Sequence, residues 1–295
     1  MQPLRETEEY NMKNKRITPI TQKKVAAFLK SRPRDSHKGM FGTVTVIGGA
    51  SGMVGAALLA GRAALKMGAG CVHVGLLADN APAVDVQVPE LMLHSAAEAL
   101  KSGKPNVLVV GCGLGQSPAA QKLLYDTLLL DVPLVLDADA LNLIALRPDL
   151  RGMLHTRKAP AVFTPHPGEA ARLLGCSTDE IQHDRARSAS DLVQKLGGSV
   201  VLKGAGSLCA TRNGKLYMNQ SGNPGMSAAG MGDVLAGMIG AFIAQGIAAD
   251  DALLLAAHLH GAAGDELAQQ QATLGMRATE VTEWARWLLN RIAPR

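Results

Sequence analysis

The chain has 295 residues, 47% hydrophobic and 19% charged, which marks a globular protein rather than a disordered one. Only 3% of residues are aromatic, and the formal net charge of +5 is spread without a dense basic run, which argues against nucleic acid and favours small anionic ligands. No apolar run is long enough to cross a bilayer, the polar start lacks a secretory signal, and four scattered cysteines without metal spacing read as reduced thiols, so a cytoplasmic protein with no membrane partner is expected.

Residues 1–16 read as a flexible lead-in, and 17–295 as one domain. Apolar spacing predicts a helix over 18–30. A β-branched run bounded by glycines predicts a strand over 43–47, followed by an Ala-rich helix over 54–67. Strands follow at 71–77 and 106–110, a helix at 118–130 and a strand at 133–136. A short strand at 161–163 precedes a helix from 168. One longer helix spans 178–196, then comes a strand at 199–202. Segments 208–211 and 215–218 flank Arg212-Asn213-Gly214, a strong hairpin signal. From 233 onward the chain reads as nearly all helix. This alternation predicts an α/β protein, a mostly parallel sheet with helices on both faces and ligands at the carboxyl ends of the strands. The Ala-rich C-terminal helices suggest that copies of the chain associate.

The most informative stretch is 223–237, N-P-G-M-S-A-A-G-M-G-D-V-L-A-G. Small residues and glycines lie directly ahead of an apolar helical run over 233–244. Such a loop offers free N–H groups and a helix dipole to an anion such as phosphate. Asp233 is the odd member, because a carboxylate repels phosphate. It reads as a base that takes a proton from a hydroxyl about to attack phosphorus. The alternative is a plain helix cap.

Other polar groups gather at predicted strand ends. Gly48-Gly49-Ala50-Ser51-Gly52-Met53-Val54-Gly55 resembles a dinucleotide turn, but its spacing is not G-x-G-x-x-G. Gly113 and Gly115 follow the 106–110 strand and could admit a ligand or form a simple turn. Asp137 and Asp139 could hold magnesium through water, with Asp139 alternatively capping the next helix. In Thr164-Pro165-His166-Pro167-Gly168-Glu169, His166 is pinned between prolines and reads as a ligand contact, while Glu169 suits a helix first turn. Lys203, in Lys203-Gly204-Ala205-Gly206-Ser207, could pair with nucleotide phosphate.

Taken in order, the blocks 37–42, 48–55, 137–142, 164–169, 203–207 and 223–237 resemble the ADP-dependent NAD(P)H-hydrate dehydratases of the ribokinase-like superfamily. The resemblance implies a three-layer ribokinase-like fold, in the form without a fused epimerase domain. It implies ADP-driven dehydration of hydrated NAD(P)H (S form) to NAD(P)H, giving AMP and phosphate, with Mg2+ as cofactor. By the same resemblance Asp233 is the base and Ala229, Gly230, Met231 and Gly232 form the anion hole. Lys203, Gly204, Ala205, Gly206, Ser207 and Gly232 would hold ADP. Ala56, Gly113, His166 and Asp233 would meet the hydrate, and Glu169 would serve the metal. Related vitamin kinases carry T-P-N-x-x-E, whereas this chain has His166 in place of the Asn, as the dehydratases do. An ATP-dependent small-alcohol kinase is the alternative. A non-catalytic nucleotide-binding or Rossmann-type redox protein is a third reading.

Overall fold

The computed structural model describes residues 17–102 and 104–294. The lead-in expected over 1–16 lies outside the described residues. The strands are β1 (Ile17–Pro19), β2 (Thr43–Gly48), β3 (Cys71–Leu76), β4 (Met92–Ser95), β5 (Val107–Val110), β6 (Leu134–Leu136), β7 (Ala161–Phe163), β8 (Ser199–Leu202), β9 (Leu208–Ala210) and β10 (Leu216–Met218). They form one sheet in the order β1-β10-β9-β8-β7-β6-β5-β2-β3-β4. Every pair from β4 across to β8 is parallel. β9 runs antiparallel to β8, and β10 to β9, with β1 parallel to β10 at the edge.

The parallel strands are buried because helices cover both faces. Val107–Val110 and Ser199–Leu202 are buried throughout, the continuous apolar pattern such strands need. Alternate residues of one strand feed two separate cores. Val44, Val46 and Val109 join one, packed by the helices Val54–Lys66, Met231–Ala244, Ala249–Gln270 and Ala278–Ile292. Ile47, Leu108 and Val110 join the other, under Pro118–Leu128, Asp139–Leu146, Pro167–Leu174 and Arg185–Leu196. The result is the three-layer α/β architecture expected from the sequence.

Small residues bring the Met231–Ala244 helix against Val54–Lys66. A Cβ on Gly237 would lie 2.1 Å from the carbonyl oxygen of Ala60, so only glycine permits that approach. This contact fixes where the 231–244 helix begins.

The sheet order also creates a crevice. The chain leaves β2 for β3 on one side and returns with β5 on the other. Ligands favour the carboxyl ends of strands at such a switch. Here the loops after β2 and β5 are tied together: Gly49 N–H donates to Cys112 O at 3.0 Å and Ala50 N–H to Gly113 O at 2.7 Å.

Several local expectations shift. Instead of a helix over 18–30 there is strand β1, then a short helix Gln22–Ala26 capped by Thr21. Edge pairing with β10 holds Pro19, which needs no ladder donor there. The 178–196 helix breaks at Asp184, whose carboxylate accepts from Arg187 N–H at 2.9 Å and starts a second helix. The half-exposed strand β4 was not foreseen. The helix expected from 233 starts two residues earlier, at Met231. The Asn213-Gly214 hairpin is present between β9 and β10, with Gly214 at φ +80°.

Candidate active site

Gly230 is the N-cap of the Met231–Ala244 helix, at φ +86°. A side chain there would strain the backbone and lie 2.6 Å from Leu59 Cδ1. The first helical N–H groups, on Met231, Gly232 and Asp233, have no acceptor inside the helix. Ala229 is exposed ahead of them, and Met231 is buried. Asp233 is therefore not the cap. It is the third helical residue, in the first turn, beside the unpaired donors.

Burial and the nearby Asp137 carboxylate push the Asp233 pKa up to about 7. A hydrogen bond with the Cys112 thiol and the positive charge of Lys203 work the other way. Such a carboxyl is poised between acid and base near neutral pH, where a general base works best.

Asp137 is 1% exposed at the end of β6. Its Oδ1 accepts from Thr164 Oγ1 at 2.6 Å and from Lys203 Nζ at 2.8 Å. Lys203 Nζ also lies 3.9 Å from Glu169 Oε2. Burial alone would lower the lysine pKa, but Asp137 and Glu169 outweigh it and hold it above its ordinary value. Lys203 is thus an ammonium. A Cβ on Gly232 would sit 3.0 Å from that nitrogen, so the cation faces the helix first turn.

His166 caps the Pro167–Leu174 helix. Its Nδ1 accepts from the N–H groups of Gly168 at 3.0 Å and Glu169 at 3.4 Å. Glu169 Oε2 accepts from His166 N–H at 2.8 Å, completing a capping box. Because Nδ1 accepts, the ring proton is on Nε2, 3.3 Å from Glu169 Oε1. Burial and Lys203 lower the His166 pKa, keeping the ring neutral, and burial raises that of Glu169. His166 thus does structural work that the sequence reading did not assign, while its ring still borders the cleft.

The cleft has a volume of about 690 Å3. His166, the whole of Lys203-Gly204-Ala205-Gly206-Ser207, Met231 and Gly232 line it. Ala229, Gly230 and Asp233 belong to the same turn at its edge. Ala56 and Gly113 meet elsewhere, in the β2/β5 crevice: a Cβ on Gly113 would be 3.1 Å from Ala56 Cβ. Gly113 follows Cys112, whose thiol bonds Asp233, so Asp233 stands between the two spaces.

Three points went unseen in the sequence. The Asn219–Asn223 segment walls the cleft, with Asn219 Nδ2 donating to Ala257 O at 3.0 Å. His260 also lines it, from a helix that gave no local motif. Asp137 acts as the lysine's anchor. The magnesium reading of Asp137 and Asp139 changes: Asp139 Oδ2 accepts Gly115 N–H at 2.8 Å, latching a loop rather than capping a helix. Cys112, Asp137 and Asp233 do bring a thiol and two carboxylates within 4.8 Å of one another. The thiol pKa is raised well above its usual value by burial, and the Lys203 ammonium already supplies positive charge. The trio is a charged hydrogen-bonded cluster, and its neutral thiol does not suit magnesium, which prefers oxygen ligands.

The NAD(P)H-hydrate dehydratase family (Carb_kinase) profile matches residues 44–286. The chain is 44% identical to the ADP-dependent (S)-NAD(P)H-hydrate dehydratase of Neisseria meningitidis, over 89% of this chain and 90% of that one. It is 42% identical to the bifunctional NAD(P)H-hydrate repair enzyme Nnr of Escherichia coli, over 93% of this chain but 53% of the longer protein. The chain thus spans about half the length of such bifunctional relatives. Among solved structures, the ADP/ATP-dependent NAD(P)H-hydrate dehydratase of Bacillus subtilis, co-crystallized with ATP/Mg2+, superposes with a TM-score of 0.81 at 28% identity, covering 94% of this chain and 99% of that one. With the profile spanning most of the sequence, a near full-length relative above two-fifths identity and the same fold, the chain belongs to the NAD(P)H-hydrate dehydratase family.

Proposed function

We propose that the chain dehydrates hydrated NAD(P)H (S form) back to NAD(P)H, using ADP and releasing AMP and phosphate. The observation that carries this reading is Asp233, a half-buried carboxyl with a pKa of about 7 in the helix turn whose N–H groups are free. Asp233 takes the proton of the hydrate's hydroxyl. The freed oxygen attacks the β-phosphorus of ADP, and the bond to the bridging oxygen breaks to leave AMP. N–H groups from Ala229 to Gly232 hold the transferring phosphoryl oxygens as charge builds on them. The ring nitrogen's lone pair then expels phosphate, and the adjacent ring carbon gives its proton to the released phosphate or to water, restoring the double bond. The hydroxyl oxygen leaves in the phosphate, so the equation balances as hydrate plus ADP giving NAD(P)H, AMP and phosphate.

Lys203–Ser207 and Gly232 would hold the nucleotide in the cleft they line. Ala56 and Gly113 would meet the hydrate in the crevice, and His166 would meet it from the cleft wall. Glu169 offers the oxygen chemistry magnesium prefers and would bind it through water, where the ion would offset phosphate charge. The reaction is assigned to the cytoplasm, and the enzyme is expected to work as a homo-oligomer. Residues 17–295 are taken as one catalytic domain.

A kinase for a small alcohol would use the same base and cradle. His166 in place of the kinases' Asn favours dehydration. The test is to supply hydrated NADH with ADP or ATP and follow reduced-nicotinamide absorbance. Absorbance should return with ADP. A flat trace, with a vitamin alcohol phosphorylated instead, would give the kinase reading the site.

A further inference from the structure

Asp137 has no assigned part in the chemistry above, yet two side chains hold it directly behind the site. It is almost fully buried. One oxygen takes hydrogen bonds from both Thr164 and Lys203, at 2.6 and 2.8 Å. Its other oxygen, Oδ2, would be 3.4 Å from a Cβ on Gly232, the residue just before Asp233. A buried carboxylate in this position does two things at once. It anchors a flexible ammonium, and it places a second negative charge behind the base.

We propose that Asp137 is the positioning residue of this site: held by Thr164, it fixes the Lys203 ammonium against the first turn of the Met231–Ala244 helix, beside Asp233. The proposal rests on the reading of Asp233 as the base. Without Asp137, Lys203 would be free to swing to solvent, and the nucleotide cleft would lose a fixed cation beside its N–H cradle. Restricting a long side chain in advance lowers the ordering cost when an anion binds. The groups facing Asp233 are Asp137 after β6, Lys203 after β8, Cys112 after β5 and Asp139 in the following helix. Asp137 and Asp139 favour the protonated carboxyl, and Lys203 and Cys112 favour the carboxylate. Removing Lys203 therefore moves the Asp233 titration to higher pH, and removing Asp137 as well, with no ammonium left to release, moves it back down.

The experiment titrates the Asp233 carboxyl by carbon NMR in the full chain, assigned by its loss in Asp233→Asn. It compares wild type with Asp137→Asn, Lys203→Met and the double variant. The midpoint should rise in Lys203→Met and fall back in the double variant, where the Asp137 charge is removed with no ammonium left to move. ADP affinity by calorimetry should fall about tenfold in Asp137→Asn. The acidic limb of kcat/KM should follow the carboxyl titration, with the KM for hydrate little changed. If Asp137→Asn does not fold, the charge-neutral double variant carries the test, set against Lys203→Met or, failing that, wild type: its midpoint should lie below that of Lys203→Met. A double-variant midpoint equal to that of Lys203→Met, or ADP binding equal to wild type in folded Asp137→Asn, overturns the proposal. If wild type does not dehydrate the hydrate but the midpoints shift as stated, the positioning role stands and the assigned reaction falls.

Discussion

Two glycine-rich turns link a strand or loop to a helix in this chain, and they look alike in sequence but not in structure. The turn after β2, Gly48 to Gly55, ties three of its backbone donors to protein. Gly49 and Ala50 donate to the carbonyls of Cys112 and Gly113, and Met53 N–H donates to Ala50 O at 2.8 Å. Its first glycine is there because a Cβ would lie 2.1 Å from the Cys112 carbonyl oxygen. In the turn at Ala229 to Gly232, the glycines instead let the chain enter a helix with its first donors unpaired. A glycine signature announces close backbone approach. Whether the approach is to a neighbouring loop or to a ligand depends on where the N–H groups go, and that is decided by the sheet order.

The largest effect separates the two turns at once. Asp233→Asn should lower turnover by about a thousandfold, within the range for losing a general base, and leave ADP affinity near wild type. Because the folded Asp233 carboxyl titrates near 7, wild-type kcat/KM should rise tenfold per unit at acidic pH and level off above about 7. The sign for stability is opposite. This acid has a folded pKa above its unfolded value, so ionising it costs stability increasingly as pH rises from about 4 to about 7. Asp233→Asn should therefore melt higher than wild type at pH about 8 and equally at pH about 4. Near-normal turnover in this variant would remove Asp233 from the chemistry.

The paired glycine substitutions come next. Gly48→Ala should cost about 2–4 kcal/mol in denaturant unfolding, because the clash is with rigid backbone. Activity of the folded fraction should fall less than stability does, chiefly through the KM for hydrate, because the displaced Cys112 carbonyl adjoins Gly113 in the crevice. Gly232→Ala should do the reverse. Its new methyl would meet the Lys203 ammonium at 3.0 Å and Asp137 Oδ2 at 3.4 Å, side-chain ends rather than backbone, and alanine suits a helix better than glycine, so stability should stay within about 1 kcal/mol. Turnover should fall roughly tenfold to a hundredfold as the methyl crowds the cradle and displaces the ammonium. Equal stability losses in the two variants would erase the distinction between the turns.

Much of this was legible in the sequence for physical reasons. The strand-helix alternation and the Asn213-Gly214 hairpin are local patterns, and local chemistry fixes them. The approach of Lys203–Ser207 to Gly232 follows from strand ends sharing one rim. The Asp137–Lys203 pair spans 66 residues of chain and depends on β6, β7 and β8 lying side by side, which no local motif encodes. The break at Asp184 was missed because an aspartate reads equally as a helix-surface residue and as a cap. The capping role of His166 was missed because histidine is an uncommon cap, and only the observed Nδ1 acceptor geometry reveals it.

That double role of His166 gives the smallest expected effect and a fine test of how the two spaces around Asp233 divide the work. Asn can supply the same acceptor to the Gly168 and Glu169 N–H groups, so His166→Asn should keep the capping box and change stability by no more than about 0.5 kcal/mol. What it removes is the ring and its Nε2 proton at the cleft wall. The KM for hydrate should rise a few-fold, with kcat nearly constant, since the ring's lone-pair nitrogen, Nδ1, is already engaged by the Gly168 and Glu169 N–H groups. His166→Ala loses the cap as well and should destabilise by about 1 kcal/mol while raising KM to the same extent. If instead the two variants differ in KM and agree in stability, the ring serves the substrate through the Pro167–Leu174 helix rather than by touching it.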